Sequence, residues 1–179
     1  MIEGKETYLR AIEEGDLKPL LQWRNQPNFR KYFREYRELS WDQQLSWYKN
    51  IVLKDDKVRM FSIVRRDDDA LLGACGLCYI DPVNRNADFS IYIGKDNLYI
   101  DKKYAIDAAN ILMAYGFDEL NLHRVWAEIY SIDKAKIEFF KTLNFTQEGV
   151  HRETHWTDGH WVNSIFYSML RDEYQKTGE

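Results

Sequence analysis

Apolar residues at every second position, bounded by clusters of turn residues, predict seven β-strands in this chain. The predicted strands cover residues 8–12, 59–65, 71–80, 87–93, 124–130, 148–156 and 161–170. Apolar spacings of three and four residues predict four helices. One is capped by Asp16 and runs through Trp23, one follows a capping box at Ser40, one covers residues 103–120, and one is capped by Asp133.

The order of these elements, β-α-α-β-β-β-α-β-α-β-β, predicts an α+β fold. One β-α-β crossover joins the strands at 87–93 and 124–130, which must therefore be parallel. We predict a single domain over residues 1–179, with a mixed, mostly antiparallel sheet, a central crossover and about four helices. Ligands of such sheets bind at the carboxyl ends of parallel strands, so the loop at 94–102 is the first place to look for a site.

The two crossover strands carry their polar residues on one face. Asp88 and Glu128 lie on that face, together with Ser90, Trp126 and Tyr130. A carboxylate among aromatic rings is desolvated, which raises its pKa and suits it to act as a general base near neutral pH. Two interpretations stay open: the carboxylates line a catalytic site, or they form ion pairs with arginines such as Arg24 or Arg30.

Composition excludes several classes of protein. Of the 179 residues, 45% are hydrophobic and 30% are charged, which excludes intrinsic disorder and suits one domain. The net charge of −4 argues against nucleic-acid binding, which needs clustered Lys and Arg. No apolar run approaches the ~18 residues of a membrane span, and the N-terminus lacks a signal-peptide core. We therefore expect a cytoplasmic protein that binds neither nucleic acid nor membrane.

Cys75 and Cys78 form a C-x-x-C on a predicted strand. Residues three apart on a strand point to opposite faces, so we predict two buried thiols without function rather than a redox pair or half of a zinc site.

The strand at 148–156 places His151, Glu153 and His155 on one face. Two histidines and a carboxylate can bind a metal, but we favour contact with an acceptor substrate and predict no metal. The segment 29–38 mixes basic and aromatic residues; it either clamps a phosphorylated ligand or forms an ordinary surface.

Short strings in a fixed order run through nearly the whole chain. They are Leu9-Arg10-Ala11-Ile12, Gly15-Asp16-Leu17, Trp23-Arg24-Asn25, Asn84-Arg85-Asn86-Ala87-Asp88, Ile91-Tyr92-Ile93-Gly94, Tyr104-Ala105-Ile106-Asp107-Ala108, Leu122-His123-Arg124-Val125 and Leu143-Asn144-Phe145. In this order the strings resemble the GNAT superfamily of acetyl-CoA-dependent N-acetyltransferases. The resemblance is strongest to the branch of ribosomal-protein alanine, spermidine and amino-sugar acetyltransferases.

The resemblance implies an acyltransferase that moves an acetyl group from acetyl-CoA to a primary amine by direct attack. In the family, the pantetheine arm lies along the strand that ends here at Ile93, which implies contacts with Ile91 and Ile93. The next loop, usually R/Q-x-x-G-x-G/A, donates N–H groups to the pyrophosphate. Its positions here are Asp101, Lys102, Lys103, Tyr104 and Ala105. Only Ala105 matches the pattern, because Ile100 and Lys103 replace the Arg/Gln and the central Gly.

The resemblance also implies roles around the thioester. The family helix that starts with Asn and carries a proton-donating Tyr has Asp133 and Phe140 at those cofactor-binding positions. Since Phe cannot donate a proton, Ser131, Tyr130 or solvent is expected to protonate the thiolate. The general base is Glu128 or Asp88. The residues expected to contact the acceptor are Trp23, Arg24, Tyr130, Glu153 and His155.

The acceptor stays open between a protein N-terminus, a polyamine and an amino sugar. The alternative function is a catalytically weak or inactive GNAT-fold module that binds CoA or a protein partner. A homodimer is one assembly we consider.

Overall fold

Eight strands form one sheet in the computed structural model, which describes residues 1–176. The strands are β1 (Ile2–Glu3), β2 (Thr7–Ala11), β3 (Arg59–Arg65), β4 (Leu71–Asp81), β5 (Asn86–Ile93), β6 (Arg124–Tyr130), β7 (Thr146–Thr157) and β8 (His160–Leu170). Their order across the sheet is β1-β2-β3-β4-β5-β6-β8-β7. Within the described residues only β5 and β6 pair in parallel, so the predicted crossover is confirmed.

The described chain forms six α-helices. They are α1 (Leu17–Arg24), α2 (Pro27–Arg30), α3 (Trp41–Trp47), α4 (Tyr104–Ala114), α5 (Lys134–Thr142) and α6 (Arg171–Lys176). Single π turns continue α3 to Val52 and α4 to Glu119. The sequence pattern predicts four of these helices and misses α2, α6 and β1, which are too short to show a period.

The sheet buries an apolar layer on each of its faces. On one face, α4 packs against β2, β4 and β5 through small residues, and in the π turn after it a Cβ added to Gly116 would lie 3.1 Å from Leu77 Cδ1. On the other face, Leu17, Leu20 and Phe29 of α1 and α2 cover the sheet. The sheet itself has a gap between β5 and β6, through which a ligand can pass from one face to the other.

That gap exists because β5 and β6 pair over only three residues. Their register runs from Asn86 opposite Arg124 to Asp88 opposite Trp126 and then stops. Beyond Asp88 the two strands separate, while β5 stays paired with β4 and β6 with β8. The separation leaves strand edges open toward the middle of the sheet.

Two of the three predicted helix caps are confirmed. Ser40 forms a capping box with Gln43, and Asp133 accepts a hydrogen bond from the Lys136 N–H. Asp16 also occupies the N-cap position of α1, but its carboxylate makes no cap bond to the helix. It accepts hydrogen bonds from Arg10 and Ser62 instead, which fastens the start of α1 to β2 and β3.

Candidate active site

A cavity of about 450 Å³ lies where β5 and β6 separate, and it reaches both faces of the sheet. Asp88 and Glu128 line it from one face, and Ile129 and Phe140 line it from the other. A neighbouring cavity of about 370 Å³ lies under α1 and α3. The two cavities share several lining residues, including Arg24, so they form one continuous groove.

Arg34 joins the two carboxylates of the crossover strands. Its Nη1 donates to Asp88 Oδ2 at 2.7 Å, and its Nε lies 3.4 Å from Glu128 Oε2. The guanidinium lies over the rings of Tyr79 and Trp126, at 5.8 and 5.7 Å from their centroids. The ion-pair interpretation therefore holds with a different arginine, since neither Arg24 nor Arg30 forms a salt bridge with Asp88 or Glu128.

The two carboxylates differ in their surroundings. Asp88 is buried, and burial raises its pKa although Arg34 opposes the shift. Glu128 keeps 24% of its side chain exposed and accepts a hydrogen bond from Ser164 Oγ at 2.5 Å. Asp88 thus holds Arg34, while Glu128 presents an oriented and reachable carboxylate to the cavity.

Lys136 lines the same cavity from the first turn of α5, four residues before Phe140. Its ammonium lies 5.8 Å from the centroid of Phe33 and 5.6 Å from that of Tyr99. Burial lowers the pKa of Lys136, although the charges of Asp133 and Asp88 oppose this. Within residues 1–176, no carboxylate forms a salt bridge with it.

The loop between β5 and α4 satisfies the first backbone donors of α4 with its own side chain. The Asp101 carboxylate accepts hydrogen bonds from the N–H groups of Lys103, Tyr104 and Ala105, each at 2.8 Å. The Lys103 ammonium turns away to Glu6 Oε2 at 2.7 Å. The Lys103 ammonium therefore pairs with Glu6 and not with a group at the start of α4.

Tyr99 of the same loop links the end of β5 to the residue that caps α5. Its carbonyl oxygen accepts the Ile93 N–H at 2.7 Å, and its hydroxyl donates to Asp133 Oδ2 at 2.5 Å. Its ring stacks on Tyr32 at 5.1 Å. Tyr99 has a φ of 52°, in the left-handed region that a bulky residue rarely adopts, so the surrounding contacts must hold it there.

Of the predicted acceptor residues, Arg24 lines the groove and Trp23 does not. Trp23 rests on Gly94, where an added Cβ would lie 2.1 Å from its Cδ2. Tyr130 is buried and stacks on His155 with ring centroids 3.9 Å apart. Neither ring lines either cavity.

Glu153 and Ser131 also lie outside the groove. Glu153 is exposed, with a φ of 53° in a bulge of β7 that breaks the alternation on which its prediction rested. Ser131 accepts a hydrogen bond from the Asn163 N–H at the end of β6. The structure thus brings Asp88, Glu128 and Arg24 together and places Ser131 and Glu153 elsewhere.

The cysteines lie on opposite faces of β4, as predicted. Cys75 is fully buried in the core. Cys78 is half-buried, lines the larger cavity, and burial raises its pKa to about 12. Over residues 1–176 no group of three or more His, Cys, Asp or Glu side chains is arranged to hold a metal. No helix in that range is long and apolar enough to cross a membrane.

A family model described as an acetyltransferase (GNAT) domain matches residues 6–146. The chain belongs to the GNAT acetyltransferase family. Enzymes of this family transfer an acetyl group from acetyl-CoA to an amine, as the sequence resemblance implies.

Similar GNAT proteins match nearly the whole chain. Uncharacterized N-acetyltransferase p20 of Bacillus licheniformis is 27% identical over 93% of this chain and 93% of its own length. Spermidine N(1)-acetyltransferase of Vibrio cholerae is 26% identical over 98% of this chain and 99% of its own.

Solved structures of the Vibrio cholerae enzyme share the GNAT fold. A crystal structure of its complex with CoA and spermine has a TM-score of 0.85 at 24% identity and covers 95% of this chain and 98% of that one. A structure described as dodecameric has a TM-score of 0.80 at 24% identity, with 97% and 99% covered.

The residues of this GNAT chain fit acetyl-CoA as the acetyl donor. The N–H groups at the start of α4 suit a pyrophosphate. The Ile93 N–H points into the gap, and because strand N–H groups alternate in direction, that of Ile91 points the same way. In this structure the chain itself, through Asp101 and Tyr99, accepts hydrogen bonds from most of these donors.

Sequence reasoning missed three residues of this site. Arg34 lies in the basic and aromatic segment 29–38, but no local signal links it to Asp88, 54 positions away. Lys136 was detectable, because it lies four residues before Phe140 and so on the same helix face. Tyr99 carries no pattern that predicts a left-handed conformation.

Proposed function

We propose that this GNAT enzyme acetylates a primary amine that enters the groove beside Glu128. The observation that supports this is the joint lining of one cavity by Glu128, Asp88 and Lys136 at the separation of β5 and β6. Holding the amine and the thioester together there supplies much of the rate, since the reaction becomes effectively unimolecular.

Glu128 takes the proton of the incoming ammonium group. Ser164 fixes its orientation through the 2.5 Å hydrogen bond, and Arg34 Nε lies 3.4 Å from its Oε2. Asp88 acts as a positioning residue, because its bond to Arg34 Nη1 holds the guanidinium in place.

Lys136 supplies the proton for the departing thiol. Its ammonium shares the cavity with Phe140, the position where the family carries a proton-donating Tyr. Because burial lowers the pKa of Lys136, its proton is easier to release than that of an exposed lysine. Ser131 and Tyr130, the acids expected from the sequence, do not line the cavity.

Release of free thiol from acetyl-CoA against a panel of amines tests the proposal. We expect Glu128→Gln to lower kcat by roughly 10²–10⁴-fold, the usual contribution of a positioned general base. Lys136→Met should lower kcat with KM for the amine nearly unchanged, and should alter the alkaline limb of the pH profile. Lys134→Met, an exposed lysine on the same helix turn, is the matched control. Retention of full kcat by Glu128→Gln would assign the base elsewhere.

A second function is favoured by the loop between β5 and α4, because its residues Asp101 and Tyr99 accept hydrogen bonds from the backbone N–H groups that would otherwise bind acetyl-CoA. With Asp101 and Tyr99 in place, an inactive module that binds a protein partner would look the same. Detectable acetyl-CoA binding by calorimetry together with thiol release supports the enzyme. If neither binding nor thiol release is detected at millimolar acetyl-CoA, the result supports the module.

The finer aspects of its biology are proposals as well. The spermine complex of the Vibrio cholerae enzyme makes a polyamine one candidate acceptor to be tested against others, and its dodecameric structure supports self-association. We propose that this chain also forms a homo-oligomer. That the oligomer is a homodimer and that the protein is cytoplasmic stay predictions.

A further inference from the structure

Arg24 presents a guanidinium to both parts of the groove without a hydrogen-bonding partner among residues 1–176. It lies at the end of α1, and its Nε is buried with no acceptor. Its guanidinium carbon lies 5.1 Å from the centroid of Phe33. A buried donor without an acceptor is unfavourable, so this arrangement suits a ligand that supplies the acceptor.

The carboxylates of the groove already have partners. Arg37 donates to both oxygens of Glu35, at 2.8 and 2.6 Å, and lowers the pKa of Glu35 to about 2. Arg34 binds both Asp88 and Glu128. The remaining carboxylate, Asp55, accepts the Lys57 N–H. None of them forms a salt bridge with Arg24, although the charge of Arg24 adds to the lowering of the Glu35 pKa.

Beside the Phe33 ring the charges without a salt-bridge partner are positive. Arg24 and Lys136 contact the same Phe33 ring, at 5.1 and 5.8 Å, and neither forms a salt bridge within the described chain. Two unpaired cations near one ring attract an anion and repel the ammonium groups of a polyamine. The carboxylate of Glu128, which lines the cavity, offers a place for a single ammonium.

We propose that the acceptor is a primary amine that also carries an anionic group, a phosphate or a carboxylate, and that Arg24 binds this group. The amine then lies toward Glu128, and the aromatic residues Phe33 and Trp47 cover the body of the molecule. This inference rests on the proposed function and specifies its substrate class. It also separates this chain from the spermine-bound relative.

Thiol release by the purified full-length protein with matched amine pairs tests the inference. The pairs are glucosamine with glucosamine 6-phosphate, and propylamine with β-alanine, so that phosphate and carboxylate are distinguished; spermidine is the polyamine. In at least one pair, we expect the amine that carries the anionic group to have a kcat/KM roughly 10- to 100-fold above that of its partner without the group, the usual worth of a charge-assisted hydrogen bond.

Arg24→Met keeps the apolar stem of the side chain. Within each pair, it should bring the kcat/KM of the amine with the anionic group close to that of the amine without it. Arg24→Lys should restore part of the difference. Arg30→Met is the control, because Arg30 pairs with Glu38 and lines neither cavity, so the wild-type ratio should persist. Circular dichroism checks that each variant is folded.

The possible failures are distinguishable. The inference is wrong, and the proposed function stands, if spermidine or the amines without an anionic group react as well as those that carry one. The same holds if Arg24→Met lowers kcat/KM equally for both amines of a pair. If no amine releases thiol from acetyl-CoA with folded wild-type protein, the proposed function itself fails, and the inference with it.

Discussion

Replacing Arg34 by Gln should destabilise the protein and make its stability depend more strongly on pH. The change removes the cation between Asp88 and Glu128, whose side chains are 6% and 24% exposed. Breaking a fully buried pair costs about 3–5 kcal/mol. Arg34 itself is 38% exposed, so water screens part of the effect, and we expect a loss of about 2 kcal/mol at neutral pH. That corresponds to a Tm lower by about 4–8 °C.

The sign of the pH dependence follows from Asp88. Its pKa in the folded protein already lies above the unfolded value of 3.8, so the folded state binds the proton more tightly. The contribution of Asp88 to stability is therefore present at low pH and is lost as pH rises through the folded pKa. Without Arg34 that pKa rises further, and the loss continues to higher pH. The destabilisation by Arg34→Gln should be larger at pH 8 than at pH 5.

Urea unfolding at pH 5, 7 and 8 measures both effects. Arg30→Gln is the control, because its partner Glu38 is 75% exposed and the pair contributes at most about 0.5 kcal/mol. The reasoning is refuted if Arg34→Gln behaves like this control, or if its destabilisation shrinks as pH rises.

Further predictions concern the loop and the cysteines. Asp101→Ala frees three backbone N–H groups and removes a negative charge, so calorimetry should show acetyl-CoA binding roughly tenfold more tightly. Loss of the cap should lower stability by about 1 kcal/mol, and an unchanged or weaker affinity would contradict the prediction. Lys103→Gly should leave the salt dependence of acetyl-CoA binding nearly unchanged, because its ammonium pairs with Glu6; a clearly flatter dependence would count against that geometry. Cys75→Ala/Cys78→Ala should keep kcat and lower stability by roughly 1–3 kcal/mol in urea unfolding, and loss of kcat would reveal a function for a thiol. In the wild type, the pKa of about 12 for Cys78 should make its alkylation at pH 8 much slower than that of free cysteine, as mass spectrometry would measure.

The sheet was largely predictable because its strands are apolar segments bounded by clear turn residues, and several of them alternate. The faces of β5 and β6 follow the pattern, with Phe89 and Val125 in the core and Asp88 and Glu128 on the polar face. The prediction failed where the backbone leaves regular geometry. The bulge at Glu153 and the left-handed Tyr99 shift side chains in ways that a period of two does not describe.

The sequence also could not identify ion-pair partners that lie far apart along the chain. The sequence shows that Asp88 is a candidate for an ion pair, but the choice of Arg34 over Arg24 or Arg30 depends on how the segment after α2 crosses the sheet. Phe33 and Phe29 fix that path by packing on Tyr92 and Tyr99, respectively. Such contacts depend on the assembled layers and leave no periodic signal in the sequence.

The departures from the GNAT pattern fall at positions that the resemblance assigns to acetyl-CoA. For each of them, a nearby residue of the chain offers a related group. Where the family Tyr is Phe140, Lys136 places a proton-bearing group on the same helix face. Where the loop lacks its central Gly, Asp101 accepts from the free N–H groups. The acceptor side differs, because Arg24 and Arg34 reach the groove from α1 and the segment after α2, far in sequence from the strands that carry the carboxylates. Choice of acceptor should therefore depend on residues 24–37, and changes there should alter which amine is used while leaving the acetyl-CoA side intact.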